Sequence, residues 1–591
     1  MTFTGWLTII LFAVILTALA LPLGSYMAKV YTGRRVFLSP IFAGGERFLY
    51  AVLRVDPKRE QDWKSYAKSL LIFSLAGWLL LYVILRTQNA FFVPHALNPL
   101  GYHSAPWNVT FNTTSSFLTN TNWQYYGGET TLTYFAQMAG LAVQNFVSAA
   151  VGIAVVVALI RGIVARSGRA GLGNFWQDLV RILLYILLPV SVIGALFLVS
   201  QGVIQNLSHY TLIHTLVGGT QTLAQGPVAS QEVIKELGTN GGGFFNVNSA
   251  MPFENPSGLT NFFEMLLILV IPAGLTYTYG RMVGSQRQGW AIFSAMFVLF
   301  VAGVAVVYMA EQHGTPAQHL AGLHTHAFSG STGGNMEGKE QRFGIANSGL
   351  WTAVTTVTSC GAVNAAFESL TGLGGAVPFS NLGFSEVIFG GVGAGLYSML
   401  LYVLLAVFIG GLMVGRTPEY LGKKIQAREI KLVSLGVLFT PLVVLLSSGL
   451  ASATRLGTRS LFAGVNPQGF SETLYAYLSQ ANNNGSAFAG YTGFIQPNPP
   501  GNVGSHGIGF ADLLGGAVML GARFAPMLFV LAVAGALAGK KVSPAGLGTM
   551  RTDNPTFVFL LLGVVILVGA LTFFPALLLG PIAQSLTARL F

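Results

Sequence analysis

Four short polar segments of the chain share a composition that could coordinate a metal ion. They read TNTNWQ at 119–124, TNGGGFFN at 239–246, TSCGAVN at 358–364 and NNNGSAF at 482–488. A K⁺ ion that has lost its water needs a cage of oxygen ligands, and channel filters supply that cage with backbone carbonyls from four loops. Four such segments in one chain therefore predict a filter for K⁺.

The backbone of these segments must turn successive carbonyls to one side, and glycine reaches the required conformations easily. Three segments contain a glycine, and the first has an asparagine, which tolerates left-handed conformations. The predicted filter residues are Thr121, Asn122, Asn240, Gly241, Cys360, Gly361, Asn484 and Gly485. For any single segment the alternative is an ordinary outer loop with a turn glycine, and for Cys360 it is a small buried thiol.

Short helices are predicted directly before two of these segments, at residues 230–237 and 471–480. Ser230 and Ser471 are the predicted N-caps, because each precedes an acidic residue in the first turn. The negative C-terminal end of each helix dipole then points at a loop, where it helps to replace the lost hydration of a cation.

The elements that hold these loops are predicted to cross a membrane. Of the 591 residues, 52% are hydrophobic and 9% are charged, whereas soluble domains carry about 25% charged residues. Ten apolar stretches are long enough to span a bilayer, near residues 4–24, 66–86, 131–160, 176–201, 258–280, 290–310, 383–414, 430–451, 510–538 and 555–579. Basic residues are concentrated in alternate connections, which the positive-inside rule places in the cytoplasm. Both termini and the four polar segments are therefore predicted to lie outside.

The order of these stretches predicts an internal repeat. Non-helical backbone at membrane depth is tolerated only where it is buried in protein or lines a watery path. We therefore predict an all-α polytopic membrane protein, a single domain over 1–591, whose four units of helix, re-entrant loop and helix surround a pore-like centre. The predicted boundaries are 4–28 for an extra N-terminal helix, 66–160, 176–280, 290–414 and 430–538 for repeats 1 to 4, and 555–579 for an extra C-terminal helix.

The seventh span contains a glycine cluster, Gly390, Gly391, Gly393 and Gly395. Glycine in a helix interior costs up to about 1 kcal/mol relative to alanine. The cluster therefore favours a broken helix and a gate below the filter. The alternative is close helix packing through small residues.

Polar residues near the spans have two interpretations each. Gln124 either lines the ion path or makes a packed hydrogen bond. Arg416, at the end of the seventh span, either repels cations at a cytoplasmic exit or marks the membrane interface. Glu386, Asp512 and Arg523 are charges within or near spans, where charges are costly and often functional.

With these motifs the chain resembles the KdpA family over nearly its whole length. The most specific matches are TNTNWQ at 119–124, KELGTNGGGFFN at 235–246, TSCG at 358–361, GRTPEYLGK at 415–423 and NNNG at 482–485. The resemblance implies the K⁺-channel-like superfamily fold, a selectivity filter with K⁺ as the substrate ion, an interrupted seventh helix and no covalently bound cofactor. It also implies a KdpB-like P-type ATPase partner that binds ATP and Mg²⁺, small KdpC-like and KdpF-like subunits, and a bacterial cytoplasmic (inner) membrane.

Nothing in the sequence indicates ATP hydrolysis, because it contains neither G-x-x-x-x-G-K-[ST] nor D-K-T-G. We therefore expect a non-catalytic, K⁺-binding subunit of an ATP-driven uptake pump, whose energy enters through another subunit. The alternative is a stand-alone K⁺ channel or an ion-coupled K⁺ transporter of the same superfamily. A membrane-embedded enzyme would need a nucleophile or metal constellation that the sequence does not show. Nucleic-acid binding is not expected, because the charge of +11 follows the topology of the loops.

Overall fold

The computed structural model describes residues 2–123, 127–166, 171–328, 333–461, 464–491, 509–544 and 549–587. Within those residues, ten helices are long and apolar enough to span a membrane, as predicted. They are α1 (Phe3–Tyr31), α3 (Trp63–Arg86), α5 (Ala136–Val164), α6 (Phe175–Ser200), α8 (Gly258–Val283), α9 (Gln286–His313), α12 (Ala394–Met413), α13 (Ala427–Ala453), α15 (Phe510–Ala538) and α16 (Pro555–Leu577). The chain is a multi-pass membrane protein.

Shorter elements lie between the spans. Four short helices end directly before the four polar segments: α4 (Trp107–Leu118), α7 (Val228–Leu237), α10 (Gly344–Val357) and α14 (Pro467–Ala481). The remaining helices are α2 (Ser39–Val52), α11 (Gly372–Gly383) and the turns Pro316–Leu320, Arg455–Thr458 and Ala583–Ser585. Two antiparallel hairpins pair β1 (Thr211–His214) with β2 (Thr220–Leu223) and β3 (Glu419–Tyr420) with β4 (Lys423–Lys424).

The helices follow one plan four times, which confirms the predicted fold class. Each unit consists of a span, a short helix, a polar turn and a second span; the units are α3–α4–α5, α6–α7–α8, α9–α10–α12 and α13–α14–α15. Contacts of α5 with α8, α8 with α9, α12 with α13, and α15 with α5 join the four units into a closed ring. Outside the ring, α1 packs on α8, and α16 packs on α9, α11 and α12.

Two predicted helix starts are wrong. Helix α7 begins at Val228 rather than at Ser230, and α14 begins at Pro467 rather than at Ser471. The N-cap of α14 is Asn466, whose side chain accepts a backbone hydrogen bond from the first turn at 2.7 Å. Proline at the first helical position is pre-organised for a helix and needs no N–H partner, so α14 starts before the serine.

The seventh predicted span is interrupted rather than continuous from 383 to 414. Helix α11 ends at Gly383, α12 begins at Ala394, and the residues between them are not helical. Left-handed φ values, which end a right-handed helix, occur in this break at Ser385, Glu386, Phe389, Gly390 and Gly393. Three of the four glycines of the cluster therefore lie in a break, as the composition predicted, and Gly395 lies in the first turn of α12.

Candidate ion-binding site

The four predicted filter loops lie against one another inside the ring, and we number them loop 1 (119–122), loop 2 (238–241), loop 3 (358–361) and loop 4 (482–485). Each has left-handed backbone at its second and fourth positions, with φ between 48° and 102°: Asn120 and Asn122, Thr239 and Gly241, Ser359 and Gly361, Asn483 and Gly485. An alternation of left-handed and ordinary residues turns successive carbonyls toward the same side of the chain, as a carbonyl filter requires. Sequence reasoning found the fourth position of each loop and missed the second.

The glycine of each of three loops lies against a carbonyl of the next loop. A Cβ atom on Gly241 would lie 2.1 Å from the Cys360 oxygen, one on Gly361 would lie 1.9 Å from the Asn484 oxygen, and one on Gly485 would lie 2.1 Å from the Thr121 oxygen. Loop 1 reaches loop 2 on the remaining side, because a Cβ on Gly242 would lie 2.8 Å from that of Asn122. The loops are therefore arranged in cyclic order with no room for side chains between them.

The third residue of every loop presents a carbonyl that lacks a hydrogen-bond donor. Among the described residues, none donates to the backbone oxygens of Thr121, Asn240, Cys360 and Asn484, and all four residues are buried. Buried backbone carbonyls are almost always paired. Four unpaired carbonyls at equivalent positions of one ring therefore have the chemistry of a cation site.

Side-chain amides connect the loops to one another. The Nδ2 atom of Asn120 donates to the Thr239 oxygen at 2.8 Å, and that of Asn483 donates to Thr121 Oγ1 at 2.9 Å. In loop 4, the Nδ2 atom of Asn484 donates to the backbone oxygen of Thr355 in α10 at 3.0 Å. These amide groups connect the loops without donating to the carbonyl of the third residue of any loop.

A hydroxyl group on the short helix supports the backbone of three loops. Ser116 Oγ accepts a hydrogen bond from the N–H of Trp123 at 2.5 Å, Thr355 Oγ1 from that of Gly361 at 2.9 Å, and Ser479 Oγ from that of Gly485 at 2.9 Å. Each hydroxyl lies three residues before its loop begins. The corresponding residue before loop 2 is Lys235, so the second loop has a different support.

Lys235 forms a buried charged cluster with glutamates behind loop 2. Its Nζ atom lies 3.0 Å from Glu232 Oε2, 3.4 Å from Glu236 Oε1 and 3.6 Å from Glu254 Oε2, and all four side chains are fully buried. A carboxylate oxygen of Glu264 also lies within 4.8 Å of carboxylate oxygens of Glu232 and Glu236. Burial raises the pKa of the Glu236 and Glu254 carboxyls, which lie outside the spanning helices, despite the nearby ammonium. Burial thus disfavours the ionised form of these two carboxyls even beside Lys235.

One side chain links this cluster to the filter. Lys235 Nζ donates to Asn248 Oδ1 at 2.6 Å, and Asn248 Nδ2 donates to the backbone oxygen of Gly241. On its other side the cluster touches loop 3, where the buried Cys360 thiol donates to Glu236 Oε2 at 3.3 Å. The thiol is therefore hydrogen-bonded and buried, while the carbonyl of the same residue faces the ring.

The break between α11 and α12 runs along the ends of loops 2 and 3. The N–H of Gly390 donates to the Val357 oxygen at 2.8 Å, and the N–H of Val392 donates to Thr239 Oγ1 at 3.0 Å. A Cβ atom on Gly391 would lie 3.6 Å from both Thr239 Oγ1 and the Thr358 oxygen. The break therefore passes next to the filter, on the side from which α12 continues.

Buried charges and a small cavity accompany the break. Glu386 lies within it, and a terminal nitrogen of Arg523 on α15 lies 3.2 Å from where a Cβ of Gly152 would be, beside the Val392 carbonyl. The cavity is lined by Glu386 and by Asn482 and Asn483 of loop 4. It provides a space beside the filter on the side of the fourth unit.

Two predicted path residues are not placed at the filter. Arg416 is exposed beyond the C-terminus of α12, where its N–H donates to the Gly411 oxygen at 2.8 Å. Gln124 lies outside the described residues.

Comparison with known proteins identifies the family. The family KdpA, described as the potassium-transporting ATPase A subunit, matches residues 10–586. The chain belongs to this family. The potassium-transporting ATPase potassium-binding subunit of Methylobacterium nodulans is 53% identical over 586 residues, covering 99% of this chain and 98% of that protein. The protein of the same name from Granulibacter bethesdensis is 53% identical over 587 residues, covering 99% of each.

Among solved structures, the potassium transporter TrkH from Vibrio parahaemolyticus is similar at a TM-score of 0.49 with 14% sequence identity, covering 90% of this chain and 98% of that one. The resemblance to the KdpA family that the motifs indicated is thus confirmed by the family match and by full-length relatives.

Proposed function

We propose that this chain is the potassium-binding and selectivity subunit of an ATP-driven K⁺ uptake pump. The observation that carries the proposal is the ring of four unpaired carbonyl oxygens, supplied by Thr121, Asn240, Cys360 and Asn484. Backbone carbonyls are the ligands with which channel filters replace the hydration shell of K⁺. Relatives that share half of the sequence over its full length bear the name of a potassium-binding subunit.

In this proposal each residue type has a separate task. Asn122, Gly241, Gly361 and Gly485 hold the left-handed backbone that turns the carbonyls inward. The C-terminal ends of α4, α7, α10 and α14, which stop one residue before the loops, add their negative dipole ends to the site. The preceding residues Thr121, Asn240, Cys360 and Asn484 present the ligands themselves.

The break next to the filter is the proposed gate. Gly390, Gly391, Gly393 and Gly395 are the proposed gate residues; the first three lie in the break, and Gly391 lies beside Thr239 of loop 2 and Thr358 of loop 3. Non-helical backbone at this depth is tolerated where it is buried in protein or lines a watery path, which fits a gate beside the ion path. Gln124 is proposed to line the ion path, and Arg416 to lie at its cytoplasmic end.

The source of energy is proposed to lie in another subunit. The sequence contains neither a nucleotide-binding loop nor an aspartyl-phosphate motif. We propose a KdpB-like P-type ATPase, which binds ATP and Mg²⁺, together with KdpC-like and KdpF-like small subunits. The alternating basic connections support insertion in a bacterial inner membrane with both termini outside. The proposed boundaries of the four repeats are 66–160, 176–280, 290–414 and 430–538.

The proposal is tested by comparing the assembled complex with the chain alone. We expect ATP hydrolysis by the complex to be stimulated by K⁺ and not by Na⁺, and we expect the purified chain in liposomes to show neither ATP hydrolysis nor sustained K⁺ flux. Sustained K⁺-selective flux through the chain alone, with no ATPase co-purifying, would overturn the pump assignment in favour of a channel. An ATPase complex indifferent to K⁺ would overturn the assignment of the filter.

A further inference from the structure

Residues of the α1–α2 connection, of α2 and of α6 line an open basic cavity of about 220 Å³ beyond the end of α1. Its charged lining residues are Arg34, Arg35, Arg181 and Glu46, and Ser39 adds a hydroxyl group. In the proposed orientation this connection is cytoplasmic. The cavity therefore lies where the headgroups of the inner leaflet meet the protein.

The cavity is lined by three arginines but only one acidic side chain. Glu46 accepts hydrogen bonds from Arg181 Nε at 2.8 Å, Tyr185 Oη at 2.8 Å and Tyr50 Oη at 2.7 Å. Partial burial raises the pKa of the Glu46 carboxyl, but these hydrogen bonds outweigh burial and hold the pKa below its usual range. Glu46 is thus ionised and balances Arg181, which leaves the charges of the other two arginines uncompensated.

Among the described residues, no carboxylate forms an ion pair with Arg34 or Arg35. Their guanidinium groups are exposed and make no hydrogen bond or ion pair with any described residue. Arginine presents a planar fork of donors that suits phosphate oxygens. Two adjacent guanidinium groups without protein partners at the mouth of one cavity indicate an anionic ligand with several oxygens.

The frame around the cavity is ordered before any ligand binds. The N–H of Arg34 donates to the Lys29 oxygen at 2.9 Å, so the arginines follow the end of α1 in a fixed turn. Ser39 Oγ accepts from the N–H of Val36 at 3.0 Å at the start of α2. A site that is already ordered loses less conformational entropy on binding.

Helix α2 shows which kind of anion the cavity would meet. One face of the helix packs on α6, where the rings of Phe42 and Tyr185 lie 5.8 Å apart. The other face exposes 68% of Ile41, 68% of Phe48 and 60% of Val52, which are seven and four residues apart along the helix. An amphipathic helix of this kind lies in the membrane interface with its apolar face among the acyl chains.

We propose that the cavity binds the phosphate group of an anionic phospholipid in the cytoplasmic leaflet, while Ile41, Phe48 and Val52 contact the acyl chains. Basic pockets beside transmembrane helices on the cytoplasmic side bind anionic headgroups in this way. The lipid would fasten the end of α1, which packs along α8 of the second unit.

The experiment uses the assembled complex in detergent and native mass spectrometry during titration with phosphatidylglycerol or phosphatidylcholine. The test variant is Arg34→Gln with Arg35→Gln. The matched control, Lys58→Gln with Arg59→Gln, removes the same charge from exposed residues of the same connection that do not line the cavity. Each direct hydrogen bond from an arginine to the lipid phosphate is worth about 1 kcal/mol, or about fivefold in binding, and residues outside the cavity make no such bond.

We therefore expect the test variant to bind phosphatidylglycerol about 30-fold more weakly, and the control variant to bind it like the original protein. Equal losses in both variants would show a general charge effect and overturn the site, as would unchanged binding in the test variant. An equal melting temperature of the two variants in detergent establishes that the test variant is folded; if it is not, Arg34→Gln alone is measured against Lys58→Gln with the same two criteria.

Two further measurements distinguish a bound lipid from a free anion or a partner subunit in the cavity. Inorganic phosphate at about 10 mM should not displace the lipid, because it lacks the acyl chains that contact α2. Displacement by phosphate would overturn the lipid assignment in favour of a free anion. Selective lipid binding to the chain alone but not to the assembled complex would also overturn it, because a partner subunit would then occupy the cavity.

Discussion

Replacement of Gly361 by alanine would perturb the filter at its tightest contact. The added Cβ would lie 1.9 Å from the Asn484 oxygen, whereas ordinary contacts begin at 3.4 Å. The carbonyl that is proposed to coordinate K⁺ must therefore retreat by roughly 1 Å or more, or loop 3 must move away from loop 4. Gly361 also has a φ of +93°, and a left-handed conformation costs a residue with a side chain about 1–2 kcal/mol.

The expected loss of K⁺ affinity depends on whether the strain acts in the empty filter or only in the K⁺-bound filter. An empty filter can relax around the methyl group, but a bound K⁺ requires the carbonyls of both loops in place. If only the left-handed strain is imposed on binding, about 1–2 kcal/mol corresponds to a 5- to 30-fold loss of K⁺ affinity. The displaced Asn484 carbonyl adds to this loss. We expect the K⁺ concentration for half-maximal ATP hydrolysis to rise by at least about tenfold, and the preference for K⁺ over Rb⁺ to weaken.

Gly202→Ala is the matched control. Gly202 has a φ of +94°, almost the same as Gly361, but a Cβ there would meet nothing within 4 Å. The control carries the same backbone strain without a clash beside a carbonyl. Both variants are compared as equal amounts of assembled complex, with K⁺ and Rb⁺ titrated separately. The reasoning is refuted if Gly361→Ala keeps the original half-saturation and the original ion preference, or if Gly202→Ala changes them equally.

Three further predictions concern the proposed gate, the packing around Lys423 and the proposed topology. Gly391→Ala should fold and bind K⁺ normally, because its Cβ has 3.6 Å of clearance, yet slow K⁺ transport by filling the space beside loops 2 and 3; an unchanged transport rate would contradict the gate. Lys423→Met should lower the free energy of unfolding by about 3 kcal/mol, because buried Lys423 Nζ donates to two helix-end carbonyls at 2.8 and 2.7 Å; thermal melting should show little change for the exposed Lys424→Met. An impermeant thiol reagent added to intact cells should label Leu216→Cys in the outer hairpin and not Lys58→Cys, and the reverse pattern would refute the topology.

The positions of the spans were accessible from the sequence because lipid imposes a simple rule. A spanning helix must be apolar along about 20 residues, and α15 was predicted at 510–538, the bounds that the structure shows. The break in the seventh span was also accessible, because glycines in an apolar helix have a conformational cost. The bounds of the break could not be predicted. Ser385 and Glu386 adopt left-handed backbone at its beginning, but neither residue type marks such a conformation in a sequence.

The filter was predicted in part. Gly241, Gly361 and Gly485 were found because glycine is the residue that left-handed backbone favours. Thr239 and Ser359 adopt the same conformation with side chains present, and only an alignment of the four loops against one another reveals their equivalence. The conformation at these positions is imposed by tertiary contacts rather than by local preference.

The same alignment of the loops identifies Lys235 as the residue that supports loop 2, but it does not reveal how Lys235 does so. Lys235 occupies the place of a hydroxyl residue, and from sequence alone a lysine before an outer loop reads as a solvated side chain. The structure shows that it is fully buried among Glu232, Glu236 and Glu254. Glu232 and Glu236 lie on the same helix as Lys235, and the fold adds Glu254 from the segment after loop 2.

The four loops are alike in backbone but not in their surroundings, and the differences fall on one side of the ring. Loop 2 is supported by an ammonium group through Asn248, which donates to the Gly241 carbonyl. The same loop accepts a hydrogen bond from Val392 in the break through Thr239 Oγ1. Movement of the break would therefore displace loop 2, whose Gly241 carbonyl is hydrogen-bonded to Asn248 beside Lys235. Loop 2 thus couples the proposed gate to the geometry of the proposed ligands. Four identical subunits could not provide this arrangement, because any contact made to one loop would be repeated at all four.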